Sequence, residues 1–261
     1  MTSRAGGASD MRPRLSIIMP VLNEAGNLGA TLASLPPAPD LEVIVVDGGS
    51  ADGTREVAGS MSGVLCLTSP RGRGVQMNLG ALASRGELLV FLHADTILTP
   101  AHLAVLRRAA ADPRFEAGAF ELALTPPRRA LKFIAWGANR RSRLFGLPYG
   151  DQVICVRRGL FFALGGYAHR RPEDLDLVLR LRRHTRLRLL EPAVSSSGRR
   201  WLEGGYLNTT LNNWLFLTRH LAERALTRRW PRRGELERIG RGGGQGPTAP
   251  APSHTQPPPT P

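Results

Sequence analysis

The chain has 261 residues, 42% of them hydrophobic, which is enough to bury one large α/β core, and no linker interrupts its middle. Lys and Arg number 35 against 21 Asp and Glu, a net charge of +14, so anionic partners are favoured: nucleotide phosphates, lipid headgroups or nucleic acid. Cys66 and Cys155 lack metal-site spacing, no apolar run approaches the roughly 18 residues that a bilayer span needs, and Met1 to Arg14 has no secretory apolar stretch. No disulfide framework, transmembrane anchor or export signal is therefore expected, and a cytoplasmic location is.

Residues 1–13 read as a disordered extension in which translation starts at Met1 or Met11. Leu15 to Met19 is a compact apolar strand, followed by a loop at Asn23-Glu24 and a helix to about Leu35. Leu41 to Val46 is a β-branched strand ending at Asp47, and the glycine-rich turn Gly48 to Thr54 leads into a second helix. Val64 to Leu67 is a third strand, and Arg71-Gly72-Arg73-Gly74 opens a helix through Ala83. Leu88 to Leu92 is an unbroken apolar strand that delivers His93 and Asp95 to its carboxyl end.

Strands alternating with helices at this spacing imply a parallel, doubly wound α/β sheet, whose strand-end loops share one edge. Asn23, Glu24, Asp47, Arg73, His93 and Asp95 are therefore expected to converge. A helix is predicted over Pro100 to Ala111 and a strand over Gly118 to Leu124, then a basic, aromatic segment from Arg128 to Phe145. The turn Tyr149 to Gln152 leads into a strand at Val153 to Val156, and Pro172-Glu173-Asp174 begins a helix. Short strands at Leu187 to Leu190 and Val194 precede an amphipathic helix over 206–226. From Gly240 onward a Gly/Pro-rich tail is expected to be disordered.

Several residues have two readings. Asp95 can hold a divalent cation or, with Thr96 and Thr99, cap the helix at Pro100. Glu173-Asp174 can supply a general base or simply the acids a helix amino terminus favours. Asp151-Gln152 can line an acceptor pocket or cap a buried turn. Neither a Gly-x-Gly-x-x-Gly after the first strand nor a P-loop occurs, so dinucleotide and P-loop chemistry find no support.

The ordered motifs Ile18 to Glu24, Val45 to Thr54, Phe91 to Thr96 and Pro172 to Asp174 resemble family 2 glycosyltransferases. Gly72-Arg73 with Gln76-Met77-Asn78, His93 to Thr96, Pro148 to Gln152 and Arg199-Arg200-Trp201 resemble its bacterial subgroup of radical-SAM/selenodomain-associated transferases 2. Together they cover about residues 14 to 226. The resemblance implies a type A glycosyltransferase fold, Rossmann-like, with a mixed sheet flanked by helices. Residues 14–99 would form the nucleotide-binding half and 100–230 the acceptor half of one domain.

It further implies metal-assisted, usually inverting transfer from a nucleotide-diphosphate sugar, with Mg2+ or Mn2+ on Asp95. Pro20, Asn23, Glu24, Asp47 and Gly49, with Arg73, His93 and Asp95, would hold the donor. Asp174 would be the base, with Glu173 beside it, and Asp151, Gln152, Arg199, Arg200 and Trp201 would meet acceptor or diphosphate. His93 stands where many relatives carry an Asp. Ser197 replaces the Gln of the Gln-x-x-Arg-Trp motif of processive relatives, so polymer synthesis is not expected.

The acceptor is left unidentified. The basic surface and the 206–226 helix permit a lipid-linked acceptor and peripheral contact with the inner face of the membrane. A nucleotidyltransferase is the alternative enzyme, and a non-enzymatic nucleic-acid-binding protein a weaker one, since no nucleic-acid-binding module is present.

Overall fold

A computed structural model describes residues 14–168, 172–206, 208–211, 215 and 218. The expected amino-terminal extension, the tail from Gly240 and most of the 206–226 helix lie outside the described residues.

Seven strands form one mixed sheet: β1 (Leu15–Val21), β2 (Leu41–Asp47), β3 (Val64–Thr68), β4 (Leu88–Phe91), β5 (Ala117–Thr125), β6 (Cys155–Arg157) and β7 (Arg188–Ser197), in the order β3-β2-β1-β4-β6-β5-β7. The first four are parallel, β6 runs antiparallel to both β4 and β5, and β7 is parallel to β5. The helices are α1 (Ala25–Ala33), α2 (Thr54–Gly59), α3 (Arg73–Ala83), α4 (Pro100–Ala111), α5 (Arg129–Phe145), a 3-10 turn at Gly150–Gln152, α6 (Arg158–Ala163), α7 (Glu173–Leu181) and α8 (Arg199–Gly204).

The central strands are buried on both faces, as their continuous apolar runs predict: one cluster gathers Ile17, Met19, Val45, Val90 and Phe120, and a second Ile18, Leu89, Phe91, Phe161 and Tyr167. β1 does not break at Pro20, as expected from sequence, but continues to Val21. The carbonyl of Ile18, two residues earlier and on the same side of the strand, accepts from Leu92 N–H, and pairing with β4 ends there. Pro20 thus faces a side with no ladder bond left to lose. The two short strands expected near 187–194 are one strand of ten residues.

α3 anchors the carboxyl edge of the sheet. Gln76 is 2% exposed, and its Nε2 donates to the carbonyls of Val21 (2.8 Å) and Val46 (2.7 Å), tying together the ends of β1 and β2. Asn78 accepts from Tyr167 N–H at 2.8 Å and donates to its carbonyl at 2.9 Å. Gly74 lets the helix approach this same loop so closely that a Cβ would collide with the carbonyl of Ala168. Gln76→Leu keeps the volume but leaves buried acceptors short of a donor. It is expected to lower stability by about 1–3 kcal/mol, read as a fall in the urea midpoint; an unchanged midpoint would remove Gln76 from this role.

Candidate active site

Two clusters occupy the carboxyl edge of the parallel strands. The first joins the loops after β1 and β2. Asp47 is fully buried, and its carboxylate accepts from the N–H of Gly49 (3.0 Å) and of Ser50 (3.1 Å) and from the Ser50 hydroxyl. Asn23 adopts φ 54°, its Oδ1 accepts from Ala51 N–H at 2.9 Å, and its own N–H donates to Ser50 Oγ at 2.9 Å. The β2–α2 loop also caps the neighbouring helix: Glu24 N–H donates to Thr54 Oγ1 (2.8 Å) and Ala25 N–H to Asp52 Oδ2 (3.1 Å), satisfying donors at the start of α1. Hydrogen bonding, first from the Thr54 hydroxyl and then from backbone N–H groups, holds the Asp52 carboxyl below its ordinary value.

Pro20, Asn23, Glu24, Asp47 and Gly49 therefore do come together. Asp47, however, spends its hydrogen-bonding capacity on the turn. It shapes the loop from within, whereas the sequence suggested that it faces a ligand directly.

The second cluster is centred on Arg73, the first residue of α3. Its guanidinium donates to His93 Nε2, lies 3.3 Å from Asp174 Oδ2 and places Nε 3.5 Å from Glu173 Oε1. A guanidinium can only donate, so Nε2 is the accepting nitrogen of His93. Glu173 and Asp174 open α7, yet they are more than helix-end acids: Glu173 is buried and the Asp174 side chain is only 16% exposed. Burial pushes the Asp174 carboxyl up to about 6; Arg73 and the Gly150 N–H oppose the rise, and the charges of Glu173 and Asp151 add to it. Asp174 Oδ1 is buried and has no hydrogen-bond partner among the described residues.

The turn at Gly150 closes against this group. A Cβ on residue 150 would collide with Asp174 Oδ2 and come within 3.0 Å of His93 Nε2, so a larger residue there would have to displace the Asp174 carboxylate. The segment after α6 is held by Arg180, which is 7% exposed, pairs with Asp176 at 2.6 Å and donates to the carbonyls of Leu164 and Gly166. Burial pulls the Arg180 guanidinium down to about 10.

Asp95 lies just beyond β4 and is half-buried; its carboxylate accepts from the Thr96 hydroxyl at 3.3 Å. Helix capping falls to Thr99, whose N–H donates to His102 Nδ1 at 2.8 Å in a capping box. Asp95 is thus left for other work. Among the described residues no group of three or more His, Cys, Asp or Glu side chains is arranged to hold a metal ion by itself. A lone, half-buried carboxylate at a strand end suits a hard cation that completes its shell with ligand phosphate oxygens and water, and so fits Mg2+ or Mn2+.

Two expectations need correction. Gln152 is fully buried: its Nε2 donates to the carbonyl of Phe120 (3.0 Å) and its Oε1 accepts from Ser142 Oγ (2.8 Å), so the amide braces the core and does not line an acceptor pocket. Trp201 is 7% exposed and packs with Leu122, Leu124 and Leu131 in a separate apolar cluster. Arg199 is exposed at the start of α8, where its backbone N–H donates to Ser197 Oγ at 3.3 Å. The side chain of Arg200 lies outside the described residues. Asp151, by contrast, is near enough to Asp174 and Arg141 to act on both electrostatically.

Gln76, Asn78 and Gly150 were not singled out as site residues from sequence. Their signal was a polar residue inside an apolar helix face and a glycine in a turn, neither of which reveals its partner in another segment.

The family model for Glycosyl transferase family 2 matches residues 16–161. The PGL/p-HBAD biosynthesis glycosyltransferase of Mycobacterium tuberculosis is 32% identical over 241 residues, covering 84% of this chain and 92% of that protein. Glycosyltransferase AglE of Haloferax volcanii is 38% identical over 93 residues, 32% of this chain. The chain belongs to glycosyl transferase family 2 and is a glycosyltransferase.

Among solved structures, the mannosyltransferase PcManGT of Pyrobaculum calidifontis, in complex with GDP-Man and Mn2+, aligns with a TM-score of 0.60 at 23% identity, over 85% of this chain and 67% of that one. The S. aureus TarS 1-349 fragment aligns with a TM-score of 0.59 at 17% identity, and this chain spans 60% of its length. The fold is that of the type A glycosyltransferases. No helix among the described residues is long and apolar enough to cross a membrane.

Proposed function

We propose that this glycosyltransferase moves a sugar from a nucleotide-diphosphate donor to an acceptor hydroxyl or carboxylate by a single, inverting displacement. The observation that carries this reading is the Arg73–His93–Glu173–Asp174 cluster at the sheet edge, where a mostly buried Asp174 has its carboxyl pushed up to about 6. A carboxylate in that range can take a proton near neutrality. With a hydroxyl acceptor, its oxygen bonds to the anomeric carbon as the bond from that carbon to the diphosphate breaks. The hydroxyl proton passes to Asp174, and the nucleoside diphosphate leaves.

Asp95 would hold Mg2+ or Mn2+, which when bound supplies positive charge against the departing diphosphate. Arg73 has two tasks. With the donor absent it pairs with Asp174 and His93; beside an anionic diphosphate the guanidinium gains a bidentate partner. Drawing it away leaves Asp174 a stronger base at the moment the acceptor is present. The loops around Asn23, Glu24 and Asp47 would hold the nucleoside, with Asp47 setting their shape. Asp151 would stand on the acceptor side, and the acceptor, lipid-linked or not, is unassigned.

The subgroup of radical-SAM/selenodomain-associated transferases 2 is the finer reading of the same motifs, now supported by the structural work of Arg73, Gln76, Asn78 and Gly150.

The product tests the reaction class. Incubation with nucleotide sugars, Mn2+ and a cell extract as acceptor source is expected to release nucleoside diphosphate. Release of pyrophosphate from a nucleoside triphosphate and a sugar 1-phosphate, with no nucleoside diphosphate released from any nucleotide sugar, would instead make the chain a nucleotidyltransferase.

A further inference from the structure

α5 is divided lengthwise. Leu131, Ala135 and Ser142 are buried, and along the opposite side Phe133 and Trp136 are 71% and 57% exposed, with Leu144 at 64% two turns on. The two aromatic rings stack on each other at 5.5 Å, and the Arg140 guanidinium lies 5.8 Å over the indole. Aromatic side chains held against each other in water, on the outside of a helix, have no counterpart elsewhere in the described surface.

Charge says what this face meets. From Arg128 to Phe145 the sequence has six basic residues and no acidic one. Arg143 is neutralised by Glu121 and Glu191, but exposed Arg129, Lys132 and Arg140 form no salt bridge among the described residues. Trp and Phe between unpaired cations on one helical face match an anionic lipid interface: rings enter the headgroup–acyl boundary while the cations meet phosphates. A second copy of this chain would set these cations against one another.

We infer that the Phe133–Trp136 face of α5 docks the enzyme on an anionic membrane surface. This goes beyond the transfer reading and does not depend on it. The site differs from the 206–226 segment to which the sequence pointed. The same helix also braces the acceptor-side turn: Arg141 Nε donates to the carbonyl of Leu147 (2.9 Å) and Ser142 Oγ to Gln152 (2.8 Å). Ser142 lies on the buried side of α5, so docking would leave the Gly150 turn, and Asp174 behind it, on the side of the helix turned away from the lipid surface.

Co-sedimentation of the full chain with vesicles tests this. The wild type is expected to bind phosphatidylcholine vesicles containing about one third phosphatidylglycerol, and not pure phosphatidylcholine, with binding lost at high salt. Arg129→Glu with Lys132→Glu should weaken binding roughly 25-fold or more. Phe133→Ser with Trp136→Ser should weaken it roughly tenfold or more. All four residues are exposed, so both variants should melt like the wild type and keep any thermal shift given by nucleotide sugars, which separates this proposal from the transfer reading. Undiminished binding by both variants would assign membrane contact to another segment and overturn the proposal. So would equal binding to neutral vesicles, or self-association abolished by the serine variant without vesicle binding.

Discussion

Asp174→Asn is expected to cut transfer by roughly 10²- to 10⁴-fold, the range a positioned general base supplies, while the protein stays folded. The amide has nearly the shape of the carboxylate and can keep contact with the Gly150 turn, but it cannot take the acceptor proton. The wild-type pH profile carries the same information. With the Asp174 carboxyl pushed up to about 6, kcat/KM should fall as pH drops through that value, and the Asn variant should lack this limb. Stability moves the other way. A carboxyl whose folded value, about 6, lies above its ordinary 3.8 destabilises the fold where it is ionised, so the cost is absent below about pH 4 and complete above about pH 6. At pH 8 the Asn variant should therefore be no less stable than the wild type, and more stable by up to about 3 kcal/mol. Full turnover by the Asn variant would end the assignment.

Asp95→Asn is expected to have the second largest effect. If Asp95 is the protein's carboxylate on a divalent cation, its loss removes several kcal/mol of charge stabilisation, or roughly two to three orders of magnitude in rate. A chelator should reproduce the loss in the wild type, and Mn2+ or Mg2+ should restore it there but not in the variant. His93 offers no substitute in the conformation seen, because its Nε2 is engaged by Arg73. Nor should the variant fail by unfolding, since α4 is capped by Thr99 and His102.

The parallel half of the fold was legible because its strands are continuous apolar runs and its loops carry the polar residues: β1 to β4, and the place of Asn23, Asp47, His93 and Asp95 in the loops at their carboxyl edge, follow from that pattern alone. The later half was harder to read. β6 has three residues and runs antiparallel between β4 and β5, an insertion that no periodicity announces. Gln152 and Trp201 look like site residues in a motif, yet each is consumed by the core, and only the positions of Phe120, Ser142 and Leu131 reveal it. The role of Arg73 as the link between His93 and Asp174 spans 101 positions and depends on the close seating of Gly74 and Gly150. The amphipathic character of α5 was visible as a basic, aromatic run; which side faces outward required the packing of Leu131 and Ala135.

The central claim is that Asp95 and a divalent cation hold a nucleotide-sugar diphosphate at the carboxyl edge of the sheet. Thermal denaturation of the wild type and of Asp95→Asn, with a panel of nucleotide sugars and with or without Mn2+, tests it without knowledge of the acceptor. At a ligand concentration of about one hundred times Kd, binding contributes roughly 2.7 kcal/mol, a readily measured rise in Tm. The wild type should show that rise with its donor only when Mn2+ is present, and Asp95→Asn should not show it. An equal rise in both proteins, or in the wild type without metal, would contradict the claim.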